Sequence, residues 1–231
     1  MNLNNLKRFG VEVEFLASLN ASEVIRAIKA EYKSQTGMTL RLLKASYSDK
    51  SNEWRIKPDV SVGGSGLYGH ELVTPILEGE DDLAKLLKVV AIIKTIGGTT
   101  NKSCGIHVHV DLGRVNGSGN ARTSINRKQM KMLMKMIAKF EGAMNTLIPA
   151  SRRGRARWCQ DAFEAGTPLS AIWDTLKIER LTNTQDLIDS FSSRASGNKY
   201  MKWSFAPYWR HKTVECRAHS GSLDVAKIEN W

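Results

Sequence analysis

The segment RFGVEVEF alternates strictly, with Val11, Val13 and Phe15 on one face of an extended chain and Glu12 and Glu14 on the other. At about 3.3 Å of rise per residue the two carboxylates project side by side, roughly 6.5 Å apart. Such a strand either presents a solvated acidic face or holds cations between its carboxylates, and this segment alone leaves both readings open. The pattern recurs. In GIHVHVD, Ile106, Val108 and Val110 oppose His107, His109 and Asp111. In TVECRAH, Val214, Cys216 and Ala218 oppose Thr213, Glu215, Arg217 and His219, and GHELVTP adds Glu71. Repetition favours one polar sheet face lined with metal ligands over several unrelated solvated surfaces.

Elsewhere the period lengthens. SEVIRAIKAEY places Val24, Ile25 and Ile28 at helical spacing, with Ser22 as the expected N-cap. DDLAKLLKVVAIIKTIGG predicts a helix ended by its Gly pair. NRKQMKMLMKMIAKFEGAMNTLI predicts a second long helix whose methionine stripe reads as core packing. TPLSAIWDTLK and NTQDLIDSFSS predict shorter helices. RLLKASYS, NEWRIKPD, KYMKWSFAP and HKTVECRAH predict strands, and the Gly-rich SVGGSGLYG is a loop leading into HELVTP. Strands and helices are interspersed without a βαβ period, which predicts an α+β fold with a mainly antiparallel sheet. No internal repeat or low-complexity linker interrupts the chain.

At 231 residues one domain is the default expectation. A content of 42% hydrophobic and 25% charged residues is that of a soluble globular protein. No apolar run nears the roughly 18 residues needed to span a membrane, and the start MNLNNLKRFG lacks the apolar core of a signal peptide. A cytoplasmic protein with no membrane partner is therefore expected. Cys104, Cys159 and Cys216 are odd in number and far apart, which suits reduced thiols rather than a disulfide framework or a zinc knuckle.

The net charge of +11 is concentrated, because residues 113–158 hold eleven Lys and Arg against the single acid Glu141. That block implies an anionic partner: a nucleotide phosphate, an acidic peptide or nucleic acid. A solvated helix face accounts for several of its lysines. Carboxylates with one imidazole suit Mg²⁺ or Mn²⁺ better than structural zinc, and two ions can be accommodated. Without cations the carboxylates repel one another and some are driven to protonate. His70 and His211 read as structural or exposed, and Cys104 has no paired base to make it a nucleophile.

Taken in order, FGVEVEF, KPDVSV, GHELVTP, SCGIHVHVD, PASRRGRARW and VECRAHSGSLD resemble the motifs of the amidoligase group within the glutamine synthetase and glutamate-cysteine ligase superfamily. The resemblance covers roughly residues 8 to 231. It implies a single amidoligase-like catalytic domain over residues 1–231 with a glutamine synthetase-like, curved, mainly antiparallel sheet and flanking helices. ATP would enter one end of this funnel and a substrate carboxylate the other. The implied activity is ATP-dependent carboxylate-amine ligation through an acyl phosphate. By position, Glu14, Asp59 and Glu71 resemble ligands of one ion, and Glu12, His107 and Glu215 ligands of a second. Arg152, Arg155 and Arg217 resemble the cations that hold ATP phosphates and the transferred phosphoryl group, and His109 lies nearer the nucleotide. Arg217, Arg152 and Glu215 are thus the expected catalytic residues. Trp54, Trp158, Trp173 and Trp203 read as core or rim aromatics, with Trp203 or Tyr200 candidates to stack on adenine.

Five carboxylates and ATP bring roughly nine negative charges and two divalent ions return four, so arginines are required nearby. Arginine also grips phosphate at two points and keeps its proton. No counterpart of the ammonia- and glutamate-binding residues of glutamine synthetase is found, so the carboxylate and amine partners, a peptide or protein among the candidates, stay open. The chain stops at Trp231 within the helix start SLDVAKIENW, where relatives continue, and a short final helix is expected. Two rivals stand beside this reading. HVHVD and the basic helix resemble a metallo-β-lactamase-type phosphoesterase or nuclease, although Leu112 stands where that pattern needs His. A nucleic-acid-binding protein without catalysis accounts for the charge and leaves the acidic and His faces unexplained.

Overall fold

The acidic strand predicted at the start of the chain is β1 (Phe9–Ala17), seen in a computed structural model that describes residues 8–46, 51–64, 66–115, 122–154, 159–161, 178–184, 186–188 and 200–231. It is followed by α1 (Ala21–Thr36), β2 (Leu42–Lys44), β3 (Trp54–Pro58), β4 (Tyr68–Val73), α2 (Gly79–Thr95) and β5 (Gly105–Asp111). Then come β6 (Gly113–Val115), β7 (Arg122–Ser124), α3 (Arg127–Met144), a 3-10 turn (Ala150–Arg152), β8 (Trp203–Ser204), α4 (Tyr208–His211), β9 (Thr213–Ser220) and α5 (Val225–Glu229). The result is a mixed α and β fold in which β2–β3 is parallel and β1–β4, β3–β4, β6–β7 and β8–β9 are antiparallel. The chain divides into two units: residues 1–108 with 219–231, and residues 109–218.

In the first unit the strands run in the order β2-β3-β4-β1-β5. Val13 and Phe15 from β1, Ile56 from β3 and Leu72 from β4 are fully buried, as the alternation requires. Val24 and Ile28 of α1 and Val89, Val90 and Ile93 of α2 complete this core. Each such side chain contributes about 1.5–3 kcal/mol. The start of α1 differs from expectation. Asn20, not Ser22, is the N-cap: its side chain accepts from the N–H groups of Ser22 (3.0 Å) and Glu23 (3.2 Å), while Glu23 accepts from the Asn20 N–H (2.9 Å). That reciprocal capping box satisfies more end groups than a serine inside the first turn could.

Register now decides what the polar face contains. Glu14 pairs directly with Glu71, and Glu71 on its other side with Lys57. A row Lys57–Glu71–Glu14 therefore crosses three strands on one face. Opposed like charges destabilise a strand pair, so the row needs a reason beyond folding.

The second unit is built around α3, opened by an Asn126–Gln129 capping box. Met130, Met134, Met201, Phe205, Tyr208 and Val214 are buried together. The methionine stripe is only half core, since Met132 and Met136 lie on the exposed side of the helix. β8 pairs with β9, but the expected strand KYMKWSFAP shrinks to two residues. The reason is local: Lys202 gives its N–H to the Gln160 carbonyl (2.6 Å), and Tyr208 bonds back to Phe205 (2.9 Å) to start α4. The predicted helix TPLSAIWDTLK lies outside the described residues, as does most of NTQDLIDSFSS.

Candidate active site

The acidic face of β1 is not solvated. Glu14 is buried and accepts from the Gly105 N–H at 2.5 Å. His107, also buried, sits between the carboxylates of β1, with Nδ1 3.1 Å from Glu12 Oε2 and Nε2 3.7 Å from Glu14 Oε1. Asp59 follows β3 in a tight turn, its Oδ1 accepting from the Ser61 N–H (2.8 Å) and hydroxyl (2.7 Å). Glu71 lies 3.3 Å from the Lys57 ammonium. The outcome is two overlapping donor sets in which every ligating atom is within 4.8 Å of the others: Glu14, Asp59 and Glu71, and Glu12, Glu71 and His107.

Burial, reinforced by the neighbouring Glu12 carboxylate, pushes the Glu71 carboxyl well above the usual glutamate range; Lys57 opposes the shift without cancelling it. Among the described residues Lys57 is the cation paired with Glu71. The donor chemistry, carboxylate oxygens with one imidazole, fits a hard divalent cation such as Mg²⁺ or Mn²⁺. Lys57 and Gly69 were missed in the sequence. Lys57 stands in the quoted KPDVSV, where only its register against Glu71 reveals its part. At Gly69 an added Cβ would lie 2.1 Å from the Asp59 carbonyl and 2.4 Å from that of Val62. Only glycine lets the Asp59 turn close on β4, where the Asp59 N–H reaches the Gly69 carbonyl at 2.9 Å.

The second unit holds the candidate arginines. Arg217 and Glu215, two residues apart on β9, form an ion pair. Arg152 is buried on the 3-10 turn after α3, and Arg155 lies outside the described residues. His109 Nδ1 is 3.4 Å from the Thr213 hydroxyl. Close behind the Arg152 turn, the wholly buried Lys202 ammonium donates to both Asp161 and Asn145. Nothing in the apolar run YMKWSF announces that lysine as buried. The three cysteines are buried thiols outside any disulfide. Burial pushes the Cys159 thiol up to about 11 and the Cys216 thiol up to about 12, against partial relief from Lys202 for Cys159 and from the Ala218 backbone for Cys216.

The remaining histidines take structural places. His70 donates through Nε2 to the Leu19 carbonyl at 2.9 Å and packs on Phe15, with burial lowering its pKa. His211 is exposed, and the His219 ring meets Trp231 edge-on at 4.8 Å. Trp54 is a core residue, while Trp158 and Trp173 lie outside the described residues. Among the described residues no helix is long and apolar enough to cross a membrane.

A family model described as "Putative amidoligase enzyme" matches residues 6–231. The chain belongs to this amidoligase family, whose name places it among ligases. Comparison with curated proteins and with solved structures gives no match.

Proposed function

We propose that this protein is an ATP-dependent carboxylate-amine ligase of glutamine synthetase-like fold, working in the cytoplasm. The observation that carries the reading is the convergence of Glu14, Asp59 and Glu71 within 4.8 Å on a buried sheet face, where burial, with Glu12 and Glu14 close by, leaves Glu71 hard to ionise. A surface acidic patch would not be buried in this way. Family membership supplies the reaction class.

In this reading Glu14, Asp59 and Glu71 hold one Mg²⁺ or Mn²⁺, and Glu12 and His107 with Glu215 contribute to a second. The bound ions supply charge neutralisation on the phosphoryl oxygens of ATP. The Glu12 carboxylate, 3.1 Å from His107 Nδ1, holds the ring in place, and the Gly105 N–H fixes the Glu14 rotamer. Arg152, Arg155 and Arg217 bind phosphate oxygens, and Arg217 follows the γ-phosphoryl group to the acceptor. His109 lies toward the nucleotide. The substrate carboxylate attacks the γ-phosphorus and ADP leaves; an amine then displaces phosphate from the acyl phosphate to give the amide. The chain contributes positioning and electrostatics more than covalent chemistry. Carboxylate and amine substrates are small molecules, peptides or protein side chains.

The test is hydroxylamine trapping. Wild type incubated with ATP, Mg²⁺, hydroxylamine and a panel of acidic peptides and amino acids should form a hydroxamate together with ADP. Arg217→Lys keeps the charge and loses the planar fork, so hydroxamate should fall by a larger factor than nucleotide affinity does. Phosphodiester cleavage without nucleotide, and no hydroxamate from any acid, would refute the ligase in favour of a phosphoesterase.

A further inference from the structure

We infer that Lys202, with Asp161 and Asn145, is a positioning set that holds Arg152 and Arg217 for phosphate, an inference that rests on the phosphate-binding part of the proposed function. All five residues belong to the second unit. Lys202 has no exposed surface, and its ammonium donates to the Asp161 carboxylate and the Asn145 side-chain oxygen. Asn145, at the C-terminal end of α3, gives its amide to Asp161 Oδ2 at 2.7 Å. The triangle is therefore closed, each member bonded to the other two.

What the triangle grips is the Arg152 turn. Asp161 Oδ2 also accepts from the Gly154 N–H at 3.1 Å, and the Asp161 N–H returns to the Gly154 carbonyl at 2.8 Å. The Cys159 thiol faces the Arg152 carbonyl at 3.5 Å. Asp161 is thus tied from both sides to Gly154, which lies two residues after Arg152. Gly154, at φ +60°, supplies the left-handed residue this closure needs. On its other side Lys202 accepts the Arg217 N–H at its backbone carbonyl, 2.8 Å away, and its neighbours Trp203 and Ser204 pair with Cys216 and Glu215. One residue therefore links the arginine on the turn to the arginine on β9.

A buried ion pair is a poor way to gain stability, because desolvating both charges offsets their attraction. A closed hydrogen-bonded triangle is a good way to fix one geometry. Arginine forks demand such fixing: bidentate phosphate binding is lost on displacements that leave a fold intact.

The experiment uses Lys202→Met, Lys202→Met/Asp161→Asn and Arg152→Ala in the full chain, each also combined with Arg152→Ala where Arg152 is intact. The double variant leaves no buried charge unpaired, so it keeps the proposal testable if Lys202→Met fails to fold. Two quantities are read: amide hydrogen exchange of ligand-free protein, and Mg-ATP affinity by equilibrium dialysis. Exchange at Arg152, Gly154 and Arg217 should rise in the Lys202 variants while β1 and β4 stay protected. Mg-ATP affinity should fall about tenfold or more, and Arg152→Ala should add little further loss, since the arginine is already misplaced. Additive losses, or unchanged affinity in folded Lys202 variants while Arg152→Ala alone weakens binding, would overturn the positioning role and leave the phosphate reading standing. Unchanged affinity in Arg152→Ala itself would overturn the phosphate reading, and the inference with it.

Discussion

Gly69→Ala is the sharpest probe of how the fold builds the carboxylate cluster. An alanine Cβ there would stand 2.1 Å from the Asp59 carbonyl oxygen, and real Cβ atoms keep at least 3.0 Å, so the Asp59 backbone must retreat by 3.0 − 2.1 = 0.9 Å. The obstacle is backbone, not a side chain that can swing away. Forced repacking of this kind costs about 1–3 kcal/mol, and the Asp59–Gly69 hydrogen bond of 2.9 Å is strained with it. For a chain of this size each kcal/mol lowers Tm by about 2–4 °C. Divalent-ion binding should suffer as well, by about 10-fold, because Asp59 moves relative to Glu14 and Glu71. At a Mg²⁺ concentration of about 100 times the wild-type Kd, ligand linkage stabilises wild type by about 2.7 kcal/mol and a tenfold weaker variant by about 1.4. The gap between the two proteins should therefore widen by about 1.3 kcal/mol when Mg²⁺ replaces chelator. Thermal melts in EDTA and in MgCl₂ measure both parts. Gly63→Ala, in the loop that leads into β4 and with open space around its Cβ, is the control and should stay near wild type. A Gly69→Ala protein that melts with wild type would refute the close approach; one that melts lower by the same amount in both buffers would refute Asp59 as a metal ligand.

Three further outcomes are expected. Glu71 titrates higher in the folded chain than in the unfolded one, so the native state holds the extra proton; in EDTA, Tm should fall as pH climbs from the ordinary glutamate range through the raised value, and Glu71→Gln should flatten that profile. Arg152→Ala should cut Mg-ATP use by about tenfold or more, whereas Lys131→Ala and Lys135→Ala, whose partner is the exposed Glu179, should change it by less than about twofold; equal losses in steady-state assays would favour diffuse nucleic-acid binding instead. At about pH 8 a soluble thiol reagent should leave Cys159 and Cys216 unmodified in native protein and label them after denaturation, as read by mass spectrometry of peptides.

How much of this was legible in the sequence follows from what periodicity can carry. Alternation assigned Val13 and Phe15 to the core and Glu12 and Glu14 to the other face, because face is a property of one strand and needs no partner. It could not say that the other face was buried. That depends on which strands lie alongside, and the burial of Glu14 comes with the Gly105 N–H of a strand some ninety residues away. Local signals likewise misplaced the α1 cap by two residues, since Ser22 and Asn20 are both acceptable caps and only the reciprocal bond from Glu23 chooses between them. Lys202 was illegible for a further reason. A lysine among aromatic and apolar neighbours reads equally well as an exposed residue of an edge strand, and its two acceptors are 41 and 57 residues distant.

The row Lys57–Glu71–Glu14 shows where the limit falls. Each residue sits in a segment whose strand character was readable, yet the row exists only in one register, with Glu14 opposite Glu71 and Glu71 opposite Lys57. A slip of one residue would turn every side chain of β4 over, putting Leu72 on the acidic side and Glu71 into the core. Apolar pairing of Val13 with Leu72 and of Ile56 with Leu72 forbids that slip. The hydrophobic residues thus fix the register, and the register forces the carboxylates together at a cost in repulsion. Core and site are coupled through this one choice: the same contacts that make the first unit stable are those that crowd its carboxylates, a repulsion that a bound cation would relieve.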